Sequence, residues 1–359
     1  MVLDFAKEAL KNVETHSINF DELRAGKANI KVFGCGGSGC NTITWLFNKG
    51  INGASIYGIN TDALHLSITK ADEKILIGKE LTRGLGCGGY PTKGREAAKE
   101  SLSELKRAAT GADMAFVLAG MGGGTGTGAA PVVAQLAKES GAVVIGVVTM
   151  PFDCEKARLD KAEFGLQELS DVVDTVIVID NNRLVDIAGN LPMEQAFAVA
   201  NELVSTMIKG IVETITLPSL INLDYADVSA IMKNGDVAVI GVGEADTTDR
   251  VESAVKQALT HPLLDVDYKG ATGALIHITC GPDFKLEEFS GVGELVTENI
   301  SQDAQVIIGA RVNKDFANKV RVITIMTGVK SPYIMGKKSH QEEVQHARSE
   351  MSDLGIQIF

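Results

Sequence analysis

Two junctions of strand, glycine turn and helix constrain this chain more than any other feature. Residues 30–47, IKVFGCGGSGCNTITWLF, read as an apolar strand, a turn and a helix beginning near Asn41. Residues 114–140 repeat the arrangement: the strand MAFVLAG, the stretch GMGGGTGTGAAP, and the helix VVAQLAKES. Half of GMGGGTGTGAAP is glycine, and its only hydrogen-bonding side chains are Thr125 and Thr127. Such a stretch reads as built to approach a ligand closely rather than to pack. Pro131 falls near the first turn of the following helix, where its missing N–H costs little.

Apolar strands alternating with amphipathic helices predict parallel βαβ units with both sheet faces covered. SIYGIN, KILIG, AVVIGVVTM and TVIVID supply further strands, and REAAKESLSELKRAA reads as one helix. Residues 192–215 predict an unusually long helix with Phe197, Ala200, Leu203, Val204 and Ile208 on one face. It is too long for one crossover and is expected to run between two domains. Beyond it DVAVIGVGEA, ATGALIHITC, AQVIIGARV and KVRVITIMTG alternate more clearly, which predicts a smaller α+β domain. His277, in ALIHITC, is expected on the less buried face of its strand.

The expected fold class is therefore α/β: a doubly wound parallel-sheet nucleotide-binding domain, a long central helix and a second, smaller α+β domain. The expected division is an N-terminal helical arm at 1–29 (with a short helix over Asp4–Val13), a nucleotide-binding domain at 30–191, a connecting helix at 192–219, an α+β domain at 220–331, and a short charged tail at 332–359.

In an open parallel sheet such turns gather at the carboxyl edge of the strands, where ligands bind. Gly34 to Gly39 satisfies GxGxxG and, taken alone, would suit a dinucleotide, with Asp62 as the acid at the end of the second strand. A second glycine turn after another strand, and a third glycine loop at Gly84–Gly94, favour a chain of phosphates cradled by backbone N–H groups. Neither turn continues into GxxxxGK[ST], so charge must be balanced by amides, helix dipoles, hydroxyls and a bound cation. The net charge of −12 argues against nucleic acid or an anionic membrane as the main partner. No run of 18 apolar residues appears, so direct membrane insertion is not expected and the cytoplasm is. The five cysteines have no paired metal spacing, and no protein-held metal site is expected.

GMGGGTGTGAAP, together with GCGGSGCN, NTDA at 60–63, TRGLGCGGYP, VVTMPF and INLDYADV, resembles the signatures of the tubulin/FtsZ superfamily from about Ile30 to Gly328, in wording nearest its archaeal members. The resemblance implies a GTPase that takes GTP or GDP with Mg²⁺. Phosphate loops fall at Gly36, Gly37, Ser38, Gly39, Cys40 and Asn41, and at Gly122, Gly123, Gly124, Thr125, Gly126 and Thr127. Gly88 and Gly89 lie in the loop that senses the γ-phosphate. Glu155 and Arg158 match ribose and phosphate contacts, although the chain is one residue shorter than the usual pattern there. Phe197 matches the aromatic stacked on guanine, and Asn201, assisted by Asn181, the contact to the base edge.

Asp224, Asp227 and Asn222 match the catalytic loop that the family inserts into the next subunit's pocket. By themselves, two acids three residues apart at a helix start would equally serve as caps. The resemblance further implies head-to-tail self-assembly into division filaments at mid-cell, and anchoring or regulatory proteins of the division ring as partners. A GTP-binding scaffold or regulator of the same superfamily with weak hydrolysis remains the alternative.

Overall fold

The computed structural model describes residues 28–217, 219–221, 223–233, 236–260, 270–298 and 300–329, the side chains of Ile187 and Asp236 excepted. The expected N-terminal helix, Asn222 and the whole of the charged tail lie outside the described residues. Ten strands form one sheet: β1 (Ile30–Cys35), β2 (Ala54–Asn60), β3 (Glu73–Leu76), β4 (Met114–Gly120), β5 (Val143–Met150), β6 (Thr175–Asp180), β7 (Asp236–Ala245), β8 (Gly273–Cys280), β9 (Gln305–Val312) and β10 (Val320–Thr327). Their order is β3-β2-β1-β4-β5-β6-β7-β10-β8-β9.

The first six strands are parallel, and the order reverses between β1 and β4. This is the doubly wound arrangement expected of alternating strands and helices. β6 passes into β7 through two residue pairs, Thr175–Asp236 and Val176–Val237. From there the sheet turns mixed: β10 is antiparallel to both β7 and β8, and β8 is parallel to β9.

Each face of the sheet has its own core. Strand residues alternate between the two, so Phe33 and Cys35 of β1 point one way while Ile30 and Val32 point the other. The first face is covered by α4 (Pro91–Glu100), α5 (Leu102–Ala109), α6 (Thr125–Glu139), α7 (Lys156–Ser170), α11 (Arg250–Leu259) and α12 (Leu286–Thr297). The second is covered by α1 (Gly36–Lys49), α9 (Met193–Thr216) and α10 (Tyr225–Lys233). Short helices α2 (Ala63–Ile68), α3 (Lys79–Thr82) and α8 (Asn181–Ala188) are also present among the described residues. α9, 24 residues and about 36 Å long, buries Val204, Met207, Ile208 and Ile211.

Several local expectations are corrected. α1 begins at Gly36, five residues before Asn41: Gly36, at φ 72°, makes the turn alone, and the following glycines are already helical. The glycine stretch likewise belongs largely to α6, so Pro131 lies inside the helix and the Thr127 carbonyl loses its helical donor. Some of those glycines do serve packing: a Cβ at Gly128 would collide with the Pro91 carbonyl oxygen of α4. The expected single helix over 95–109 is two, broken at Ser101, whose hydroxyl accepts the Gly78 N–H at 3.2 Å. His277 is buried, 4% exposed, on the face of the sheet that packs α9 and α10.

Candidate nucleotide site

The reversal of strand order between β1 and β4 opens a crevice at their carboxyl ends, and the two glycine junctions stand on either side of it. α1 starts after β1, and α6 starts after β4. Neither helix has a side-chain cap or an acidic residue in its first turn. Two sets of unpaired N–H groups, each at the positive end of a helix dipole, therefore face one space. A Cβ on Gly36 would come within 2.7 Å of the Gly126 nitrogen, and one on Gly120 within 2.6 Å of Ser38 Cβ. The glycines let two helix starts meet at that crevice.

The space is a cavity of about 1070 Å³. Of the residues expected there, Gly37, Ser38, Asn41, Gly123, Gly124, Thr125, Gly126, Glu155, Arg158, Asn181, Phe197 and Asn201 line it. At its far end Phe197, 37% exposed, meets Phe152 edge-on with centroids 6.0 Å apart, and so leaves ring area open to a planar ligand. One helical turn later Asn201 Oδ1 accepts from Thr42 at 2.9 Å, leaving its NH₂ to donate. Glu155 and Arg158 form an exposed ion pair at 2.7 Å on the rim, worth little in itself and easily opened.

The other expected residues stand behind the wall. Gly36 and Gly122 (φ 88°) shape the turns, and Gly39 packs against the Leu118 carbonyl. Gly88 and Gly89, both at positive φ, belong to a loop whose Cys87 and Tyr90 press on Gly124. The side chain of Cys40 is a core thiol: Sγ donates to Gly34 O at 3.6 Å and Ile59 O at 3.7 Å, and burial pushes its pKa up to about 11. Thr127 does not offer its hydroxyl to the cavity either. It is buried, without a hydrogen-bond partner, and its methyl fills the space left by Gly165 on α7. Of the two threonines in the stretch, Thr125 alone lines the cavity.

Thr44, Trp45, Thr149, Phe152 and Gln195 also line the cavity without having been singled out. Trp45 lies one turn beyond Asn41 on α1, and Thr149 ends β5 at the same sheet edge, so helical spacing and strand order could have found both. Asp62, the acid that the dinucleotide reading needs, caps α2 by accepting the His65 N–H at 2.9 Å.

Asp224 and Asp227 lie at the other end of the molecule. Asp227 N–H donates to Asp224 Oδ1 at 2.8 Å and Asp224 N–H to Asp227 Oδ2 at 3.3 Å, a reciprocal cap on α10. The Tyr225 hydroxyl donates to the carbonyl of Asp113, just before β4 begins. The glycine turn follows the end of β4, seven residues and about 23 Å away along the strand. One subunit therefore does not bring its own acids to its own cavity. Among the described residues, no helix is long and apolar enough to cross a membrane.

Comparison with known proteins agrees with the fold. The profile of the Tubulin/FtsZ family, GTPase domain, matches residues 29–189, and that of the FtsZ family, C-terminal domain, matches residues 236–330. Cell division protein FtsZ 2 of Methanocaldococcus jannaschii is 52% identical over 347 residues, 96% of this chain and 91% of that protein. Cell division protein FtsZ 2 of Halobacterium salinarum is 49% identical over 98% of this chain and 90% of its own length. A solved empty FtsZ dimer from M. jannaschii superposes with a TM-score of 0.79 at 49% identity, covering 90% of this chain and 92% of that one. The chain belongs to the tubulin/FtsZ family, with that family's GTPase domain followed by an FtsZ C-terminal domain.

Proposed function

We propose that the chain binds GTP in the cavity between α1, α6 and α9, and hydrolyses it when subunits stack head to tail so that Asp224 and Asp227 of one subunit reach the phosphates held by the next. The observation that carries this reading is the position of the acids at the opposite sheet edge from the glycine turns. A cavity that binds a triphosphate and a carboxylate pair that points away from it form one site only between two molecules. Such a heterologous contact does not close on itself and generates a filament. The exposed Leu64, Ile68 and Leu85 beside the nucleotide edge give the contact apolar area to bury.

The residues divide the work by chemistry. Amides at the starts of α1 and α6 and the Ser38 and Thr125 hydroxyls hold the phosphates. Phe197 stacks on guanine while Asn201 donates to its edge, with Asn181 beside it and Glu155 and Arg158 at the ribose and phosphate rim. Gly88 and Gly89 follow the γ-phosphate from a loop whose Cys87 and Tyr90 pack on Gly124 of the glycine turn. The hydroxyls of Ser38, Thr125 and Thr149 are hard oxygen donors that suit a Mg²⁺ arriving on the phosphates, and the ion supplies charge neutralisation there. Asp224 and Asp227 orient and polarise the attacking water, a task of positioning and electrostatics. Hydrolysis to GDP weakens the stack. The filament serves division at mid-cell, and other proteins anchor it to the membrane.

GTPase activity per molecule is expected to rise steeply with protein concentration. A flat specific activity from dilute to concentrated protein would refute the shared site. Asp227→Asn keeps a capping side chain on α10, so its melting temperature and GTP affinity should hold while turnover falls about a hundredfold or more. Unimpaired turnover would return the acids to a capping role alone.

A further inference from the structure

Three side chains, two from loops and one from the start of α6, form a relay that runs from behind the cavity wall to its surface. Thr61, which follows β2 and is wholly buried, has its hydroxyl 2.7 Å from that of Thr125, the first residue of α6. Cys87, also buried, donates its S–H to the same Thr61 oxygen at 3.3 Å. Thr125 lines the cavity; Thr61 and Cys87 do not.

The chain of donors has a direction. A hydroxyl has one hydrogen to give. Thr61 receives a hydrogen from Cys87, so its own goes to its other partner, Thr125 Oγ1. The Thr125 hydrogen is then turned away from Thr61 and toward the cavity, at the positive end of the α6 dipole. The opposite order would make the Cys87 sulfur, a weak acceptor, take the Thr61 hydrogen and leave the S–H without an acceptor in a buried place. The Cys87 loop is held close for this: a Cβ on Gly124 would come within 2.6 Å of Cys87 Cβ, and Gly86 N–H donates to Thr61 O at 3.2 Å.

We propose that Cys87 and Thr61 are positioning residues that fix the Thr125 hydroxyl as a hydrogen-bond donor to the nucleotide's phosphates before the ligand arrives. A pre-oriented donor avoids the ordering cost of a rotor that could otherwise point either way. The relay rests on the nucleotide reading above, and it makes the loop carrying Gly88 and Gly89 contribute through Cys87 as well as through its amides.

The test is GTP affinity of the full chain, stripped of nucleotide, measured by titration calorimetry beside the melting temperature without ligand. Cys87→Ala is expected to weaken GTP binding by about three- to tenfold, the range of one lost hydrogen bond. Cys87→Ser, which keeps a donor, should stay within about twofold of the unmodified chain. Thr61→Val should lose as much as Cys87→Ala, and the double variant no more than Thr61→Val, because a broken relay cannot be broken twice. Unchanged affinity in Cys87→Ala, equal losses in the Ala and Ser variants, or multiplying losses in the double variant would each overturn the relay. If Thr61→Val fails to fold, the Cys87 Ala/Ser pair decides alone. Absence of GTP binding by the unmodified chain would instead overturn the nucleotide reading, and the relay with it.

Discussion

His277 lies in β8 between Ile323 of β10 and Gly309 of β9, with neither ring nitrogen hydrogen-bonded. Burial, aided by the charge of Arg311, lowers its pKa to about 4 from an ordinary value of 6.5. The folded state thus resists a proton that the unfolded chain accepts. The resulting stability is complete above pH 6.5 and is lost as pH falls through the window from 6.5 toward 4, about 3 kcal/mol in all. His277→Leu should therefore flatten the acid limb: between pH 7 and pH 4.5 its unfolding free energy, from urea titrations, should drop by about 2 kcal/mol less than that of the unmodified chain. Equal drops would mean that water satisfies the ring. Lys31 shows the opposite solution to a buried ionisable group. Its ammonium caps the end of α5 by donating to Ala108 O at 2.7 Å and Thr110 O at 2.8 Å, although burial lowers its pKa.

At the scale of elements, the glycine stretch serves two ends at once. Gly123, Gly124 and Gly126 line the cavity, while Gly128 faces α4. Helix propensity says that Gly128→Ala stabilises α6 by about 1 kcal/mol. The contact says the reverse, because the new methyl would meet backbone atoms of Pro91, Gly94 and Arg95, which do not yield cheaply. Net destabilisation of about 2 kcal/mol or more is expected, read as a lower melting temperature. A gain in stability would show that α4 gives way freely. The same contact explains why α6 was read from the sequence as starting too late. Five glycines and two threonines over residues 122–128 carry poor helix propensity. Tertiary packing and two meeting helix starts override it.

The molecule as a whole has a nucleotide cavity at one edge of its sheet and a carboxylate pair at the other. That polarity makes a prediction that no single-subunit enzyme would meet. Asp227→Asn has an intact cavity and an incomplete carboxylate pair. Gly126→Val, whose side chain would press on the Gly120 carbonyl oxygen, has intact acids and a spoiled cavity. Each alone should be inactive, and an equimolar mixture should recover GTPase activity by placing the acids of the second against the nucleotide of the first. A mixture as inactive as its parts would contradict hydrolysis between subunits.

The sequence by itself determined the parallel strands, the long helix and the position of the ligand edge. Continuous apolar runs, helical spacing and glycine turns are local signals that need no knowledge of what packs where. It also marked the phosphate side of the cavity, because the glycine junctions are short-range patterns, whereas Phe197 and Asn201 at the far end were legible through the family resemblance. What it could not decide was direction. Thr125 and Thr127 are alike in the sequence, yet one hydroxyl meets the cavity and the other is buried beside Gly165, because helical rotation between them is fixed only once α6 packs against α7. Cys40 and Cys87 are equally alike as glycine-loop thiols, and only the tertiary structure sends one to the core and the other to Thr61. The largest such decision concerns Asp224 and Asp227. Their match to the family's loop is legible in the chain, but their separation from the cavity comes from α10 being tied by Tyr225 to the far edge of β4, a contact across 112 residues that no local pattern encodes.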